Sequence, residues 1–343
     1  MAVLEQFEDE DERTTEEPPA RRRRRGRRAF AAFLALVLLI FAGAAGFVWY
    51  LDSRLGNIKT DDLLPTGDGG SGDPGTTDSG TPLVTGMGEN YLVIGSDARP
   101  GDTFSRSDVM VLAHVTEKKD KVYLIHFPRD LYVTIPGKGK DKINAAYAYG
   151  QAPLLVRTFQ DLLGVKIDHA AQIDFQGFVA ITDAVGGVRV WAEEASTANN
   201  VQIHKGWNDL NGTQALAFVR ERHQLSEGDI SRGRRQMAFI KALMVKTLSP
   251  GVLLNPLKLA DFMNAATSNL TVDRAMTPKF MRSEALSLRN VRSDDIVFIT
   301  APFTGYGTAP NGGAIDLVDE RKMERLGLAL QKDDVAGYLA ENS

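Results

Sequence analysis

No cysteine occurs anywhere in the 343 residues. Disulfides, thiolate metal sites, iron–sulfur clusters and cysteine nucleophiles are therefore excluded, although a thiol-free chain suits either redox compartment. Histidine is scarce too. The five present (His114, His126, His169, His204 and His223) form no HExxH or HxH pattern, which removes the usual zinc hydrolases. His114 and His126 fall inside apolar runs, where satisfied core histidines are expected. No GxSxG elbow, SxxK motif or GxxxxGK[ST] loop appears, so serine acyl transfer and P-loop nucleotide hydrolysis lack their residues. An excess of one charge is missing as well. Forty Lys plus Arg stand against 44 Asp plus Glu, a net charge of −4 that gives no global reason for a nucleic-acid partner.

The balance hides local asymmetry. Residues 1–28 hold eight acids and eight bases, with seven arginines crowded between Arg21 and Arg28, the composition of a disordered tail. From Ala29 to Leu51 no charged residue occurs. As a helix this run spans roughly 35 Å, enough to cross a hydrocarbon core of about 30 Å. It is longer than a signal-peptide apolar region, and Trp49 and Tyr50 suit an interfacial belt rather than a cleavage site. The expectation is a single-pass anchor in the cell membrane. The arginine block holds the N-terminus in the cytoplasm, and everything after residue 51 lies outside. Residues 52–88, rich in Gly, Asp, Thr and Pro over 61–88, read as a flexible linker. Residues 89–343 form one outer domain.

Within that domain, β-branched and aromatic runs predict strands at Tyr91–Ile94, Val109–Val115, Lys121–Phe127, Val188–Trp191, Ala215–Arg220 and Ile296–Ile299. Helical patterns fall between them: Pro153–Leu163 ending at Gly164, Asp174–Val185 ending at Gly186-Gly187, and Asp229–Leu248 opened by a capping aspartate. Strands interleaved with helices on both sides imply an α/β fold, a three-layer sandwich around a central mixed sheet.

Charged clusters sit where these elements end. Asp97 and Arg99 follow the first strand, Arg106 and Asp108 open the second, and Arg129 follows the third. Arg220 and Arg222 close the run predicted as a strand, whose alternation would turn both to one side. Arg232 and Arg235 share a helix face, with Gln236 beside them. Seven arginines and two carboxylates at element ends describe a diphosphate clamp. Arginine forks grip phosphate oxygens, while Asp97 and Asp108 suit a hard divalent ion, Mg²⁺ or Mn²⁺.

The segments NYLVIGSDAR, SRSDVMVLAHV, VYLIHFPRDLYV, KINAAYAYG, DFQGFVAITDAVGGV, LNGTQALAFVRERH and GDISRGRRQ together resemble the LytR-CpsA-Psr family of membrane-anchored cell-envelope enzymes, over residues 90–248. The resemblance implies a phosphotransferase. Its donor is a glycopolymer on undecaprenyl pyrophosphate, its acceptor the C6 hydroxyl of muramic acid in peptidoglycan, and its by-product undecaprenyl phosphate. By motif it implies Asp97 and Asp108 as carboxylates associated with Mg²⁺, and Arg106, Arg129, Arg220 and Arg222 as catalytic pyrophosphate-binding arginines. Arg99, Arg232, Arg235 and Gln236 fall near the head group. It also implies an apolar pocket for the polyprenyl chain, with Phe159, Phe175, Phe178 and Phe218 as candidate walls. One departure is visible: Gln151-Ala152 follows Tyr149-Gly150, where the family often has another glycine. Two other functions remain open on the sequence, a polyprenyl-pyrophosphate hydrolase and a non-catalytic lipid-binding scaffold or regulator.

Overall fold

The computed structural model describes Tyr50 and residues 53–65, 83–96 and 107–342. The chain divides into two units, Met1–Tyr50 and Leu51–Ser343, and the elements below belong to the second. The tail at 1–28, expected to be disordered, and the expected span at 29–51 lie outside the described residues, apart from Tyr50. Among the described residues no helix is long and apolar enough to cross a membrane.

Seven strands form a mixed sheet in the order β1 (Lys59–Asp61), β12 (Leu270–Asp273), β7 (His169–Ile173), β2 (Glu89–Ser96), β3 (Ser107–Val115), β4 (Val122–His126) and β13 (Ile296–Thr300). Its central strands are apolar on consecutive positions because both faces are covered. Leu92, Ile94, Met110, Leu112 and Ile125 point into a core shared with Leu155, Phe159, Leu326 and Leu330, from the helices Ile143–Leu163 and Glu320–Gln331. The alternate residues Val111, Val115, Val122 and Leu124 meet Met237 of the helix Asp229–Thr247 on the other face. Helices on both faces make three layers, as the patterning implied.

A second sheet runs β14 (Phe303–Thr308), β15 (Ala314–Val318), β5 (Leu131–Ile135), β6 (Gly139–Lys142). Two antiparallel ribbons pair β8 (Val188–Ala192) with β11 (Gly206–Leu210) and β9 (Ser196–Ala198) with β10 (Val201–Ile203). Val188, Val190 and Leu210 of the first ribbon join Phe218 and Phe239 in a separate core.

Three expectations are corrected. Ala215–Arg220 is not a strand but the end of a helix, Gly212–Arg220. Its start is fixed by a capping box: Asn211 accepts from the Gln214 amide while Gln214 accepts from the Asn211 amide. Residues 59–61, placed in the linker, are a strand of the main sheet, pairing parallel with Thr271–Asp273, and Leu63 is buried in the core. The helix starting at Asp229 has Gly228 at its cap position, with no side-chain cap hydrogen bond.

The reading of Pro153 as a first-turn residue is borne out in a particular way. The helix Ile143–Leu163 is broken at Gly150 and at Gln151, which sits at φ 54, ψ −154, so Pro153 opens its second half. Gly164 ends it in the left-handed region at φ 65.

Candidate diphosphate-binding edge

The topology puts one set of strand ends together. β2 runs parallel to β7, β4 runs parallel to β13, and β3 lies antiparallel to both β2 and β4. The C-terminal ends of β2, β4, β7 and β13 therefore share an edge with the start of β3. Binding groups of open α/β sheets collect at such an edge.

Arg129 is fixed there by register. Val111 pairs with His126, and continuing that antiparallel ladder past the end of β4 sets position 108 opposite position 129. Arg129 Nη1 donates to Asp108 Oδ1 at 2.8 Å, and its Nε lies 3.6 Å from Asp130 Oδ2. Lys142, at the end of β6, closes the chain of charges by donating to Asp130 Oδ1 at 2.7 Å. The backbone is tied as well: the Asn144 amide donates to the Arg129 carbonyl, and the Leu131 amide to that of Pro128. Arg129 is anchored by these contacts and keeps about a fifth of its side chain exposed.

The remaining arginines arrive from the opposite face of the sheet. Phe175 follows β7 directly, in a helix capped by Asp174, whose carboxylate accepts from the Gly177 amide at 2.7 Å. The guanidinium of Arg220 stacks over the Phe175 ring at 4.5 Å from its centroid, which places its rigid fork at the edge. Glu221 then turns extended (φ −66, ψ 134), and Arg222 is exposed, its Nε 3.4 Å from His223 Nε2.

On the helix Asp229–Thr247, Gly233 presses against His126 at the end of β4; a Cβ added to it would lie 2.8 Å from the imidazole Cε1. Arg232, only 7% exposed, is close enough to act electrostatically on His126, and Gln236 hydrogen-bonds to that ring. Burial, aided by Arg232, pushes the His126 pKa down to about 4 against the Gln236 bond. His126 is thus a neutral core residue that seats the arginine helix.

The LytR_cpsA_psr family model matches residues 81–332. This chain belongs to the LytR-CpsA-Psr family. It is 31% identical over 259 residues to the polyisoprenyl-teichoic acid–peptidoglycan teichoic acid transferase TagU of Oceanobacillus iheyensis, a match covering 74% of this chain and 76% of that protein. The crystal structure of TagV from B. subtilis superposes with a TM-score of 0.61 at 26% identity, covering 71% of this chain and 96% of that one. A structure of TagT bound to LIIa-WTA gives a TM-score of 0.58 at 26% identity, covering 73% and 91%. The mixed α/β architecture is therefore that of solved LytR-CpsA-Psr structures.

Within this LytR-CpsA-Psr domain the sequence-expected residues separate into three groups. Asp108, Arg129, Arg220, Arg222, Arg232 and Gln236 come from elements that meet at the described edge. Asp97, Arg99 and Arg106 lie outside the described residues, between Ser96 and Ser107, which pair with each other across a bulge. Arg235 stands apart. Buried at 5% exposure, it donates to Ser196 Oγ and to the Glu194 carbonyl, both at 2.8 Å, and stacks on Phe218 at 4.8 Å. Both terminal nitrogens of its fork donate into the β9 segment, so it braces the fold there. The strand alternation invoked for Arg220 and Arg222 is also replaced, since Arg220 ends a helix and Arg222 follows an extended residue.

For the divalent ion, the donors present are hard oxygens. Asp108 gives one carboxylate oxygen to Arg129, and Ser96 Oγ, fully buried where β2 and β3 pair, has no hydrogen-bond partner among the described residues. Those groups fit Mg²⁺ or Mn²⁺ in kind, with Asp97 beyond the described residues. Among the described residues no group of three or more His, Cys, Asp or Glu could hold a metal alone.

The candidate pocket phenylalanines divide as well. Phe159 packs edge-on to Phe127 at 4.6 Å in the first core, while Phe178 stacks on Phe239 at 4.3 Å beside Phe218 in the second. His114, fully buried, bonds Asn90 Oδ1 and Asp333 Oδ1, both at 2.9 Å, and is the satisfied core histidine expected.

The residues missed by sequence reading hold the arginines rather than bind. Glu194 accepts from the Ser226 amide and the Ser231 hydroxyl, pinning the loop that carries Arg222. Lys142 backs Arg129 through Asp130. An i-to-i+12 spacing between two strand ends leaves no local signal.

Proposed function

We propose that this chain is a phosphotransferase that moves a glycopolymer from an undecaprenyl-pyrophosphate carrier to peptidoglycan. The muramic acid C6 hydroxyl attacks the sugar-linked phosphorus. A new phosphodiester bond forms as the P–O bond to the bridging oxygen breaks, and undecaprenyl phosphate leaves. The reading places the domain outside the cell membrane, tethered by residues 29–51.

The observation that carries it is Arg129, held by Asp108 and Asp130 at an edge where Arg220 is stacked ready and Arg222 is exposed. Fixed guanidinium forks stabilise charge on a diphosphate without reorganising during the reaction. Arg129, Arg220, Arg222 and Arg106 would hold the phosphate oxygens, with Arg99, Arg232 and Gln236 near the head group. Asp97 and Asp108 would hold Mg²⁺ or Mn²⁺, which supplies positive charge to the diphosphate when bound. The acceptor proton goes to a carboxylate at this edge or to water. Most of the acceleration then comes from positioning and charge, as in other phosphoryl transfers. The relatives' transferase names and the LIIa-WTA complex support this choice of substrates.

The test is incubation of the full chain in detergent with an undecaprenyl-pyrophosphate-linked glycan and Mg²⁺, with and without a muropeptide. A glycan–muropeptide conjugate is expected, and chelation should abolish it. Phosphate release that ignores the acceptor would instead identify a hydrolase; binding without turnover would identify a scaffold.

A further inference from the structure

Two of the chain's three tryptophans stand side by side in solvent. On the β8–β11 ribbon the register pairs Trp191 with Trp207 and Arg189 with Asp209. Alternation sends Val188, Val190 and Leu210 into the core and these four side chains outward. Trp191 is 48% and Trp207 59% exposed, with ring centroids 5.5 Å apart and planes at 77°. The Arg189 guanidinium lies 5.4 Å over the Trp207 ring. Gly206, at φ 108, lies beside the other indole, and a Cβ there would stand 3.9 Å from Trp191 Cζ3.

Threonine or valine would serve an outward ribbon position at less hydrophobic cost, so paired exposed indoles imply an occupant. The chemistry around the rings selects which one. Arg189 and Asp209 cancel, leaving no net charge on this face to draw an anionic bilayer or a polyphosphate. No aliphatic side chain of the ribbon accompanies the indoles, as a membrane anchor or protein hot spot would use. What remains is an apolar ring face flanked by one donor fork and one acceptor. A neutral pyranose matches both parts, stacking its C–H face on an indole and sharing its hydroxyls with Arg189 and Asp209. We propose that the outward face of the β8–β11 ribbon is a glycan-binding platform for a neutral N-acetylhexosamine chain. It rests on residues outside the arginine edge, and it deepens the transferase reading by giving the acceptor polysaccharide a second hold.

The probe is a hexamer of N-acetylglucosamine, which carries no phosphate, so the outcome does not depend on phosphoryl transfer. Calorimetry on the full chain in non-ionic detergent should show saturable binding. Trp191→Ala and Trp207→Ala should each weaken it at least tenfold, and Trp207→Tyr should largely retain it. To cover variants that misfold, NMR on the unmutated chain should pass saturation from indole protons to pyranose C–H protons. Absence of binding, unchanged affinity in both alanine variants, or no saturation transfer would overturn the proposal. So would quenching of the pair's fluorescence by brominated lipid in a reconstituted Trp49→Phe chain, which would make this face a membrane contact.

Discussion

Arg129 and Asp108 meet because the β3–β4 register, extended past its last pair, leaves them opposite one another at 2.8 Å. Lysine in place of Arg129 would keep one charge but lose the fork that spans Asp108, Asp130 and a ligand. Arg129→Lys is expected to fold, with stability lowered by about 1–2 kcal/mol in urea unfolding. Conjugate formation should fall about 10²-fold or more. Transfer at the unmutated rate would remove Arg129 from the site.

Arg235 and Arg220 should give opposite phenotypes. Arg235→Ala leaves Ser196 Oγ and the Glu194 carbonyl without their buried donor and opens space beside Phe218. A loss of about 2–4 kcal/mol is expected by chemical denaturation. Arg220→Ala removes an exposed side chain that stacks on Phe175, so the melting temperature should hardly move while conjugate formation collapses. Equal destabilisation of the two variants would contradict the division between brace and clamp.

The reasons for legibility differ element by element. β2, β3 and β4 announce themselves because burial on both faces demands continuous apolar runs, and the same runs mark where Asp108 and Arg129 sit. Residues 215–219 carry an equally apolar string, yet the Asn211–Gln214 capping box makes them helical; a four-residue polar signal outweighs a β-like composition. β1 has no signal to find, since all three of its residues are exposed and only backbone pairing places it in the sheet. Arginine spacing reveals which residues gather at element ends, but not that Arg235 turns inward. That choice depends on Glu194 and Ser196, which lie about forty positions away in sequence.

Gln151 holds a conformation that suits glycine, at φ 54, ψ −154. It is exposed, so its side chain contributes little packing in return. Gln151→Gly is expected to stabilise the chain by about 1 kcal/mol, the relieved strain exceeding the added unfolded-state entropy. A drop in urea midpoint would show that the kink is not strained.

His126 links stability to pH. Its folded pKa of about 4 lies below the ordinary 6.5, so the unfolded chain binds the proton more tightly. Its contribution is complete above about pH 6.5 and is lost as pH falls towards 4. The full loss is of order 3 kcal/mol. The urea midpoint should decline across this window, and His126→Asn should flatten that part of the profile. An unchanged slope would mean that His126 is not the group responsible.

Gly233→Ala tests how closely the arginine helix must approach the sheet. In an open helix this change usually stabilises by about 0.5–1 kcal/mol. Here the new methyl would stand 2.8 Å from the His126 ring, which is buried and bonded to Gln236 and so has little room to move. The sign should reverse, with about 1–3 kcal/mol lost to overpacking. Conjugate formation should fall with it, because Arg232 is the preceding residue and moves with the helix. Removing the obstacle should undo part of the damage: in a double-mutant cycle with His126→Ala, the two changes together should cost clearly less than their sum. Simple additivity would mean that the helix and the end of β4 are not in contact, and the placement of Arg232 at this edge would fail with it.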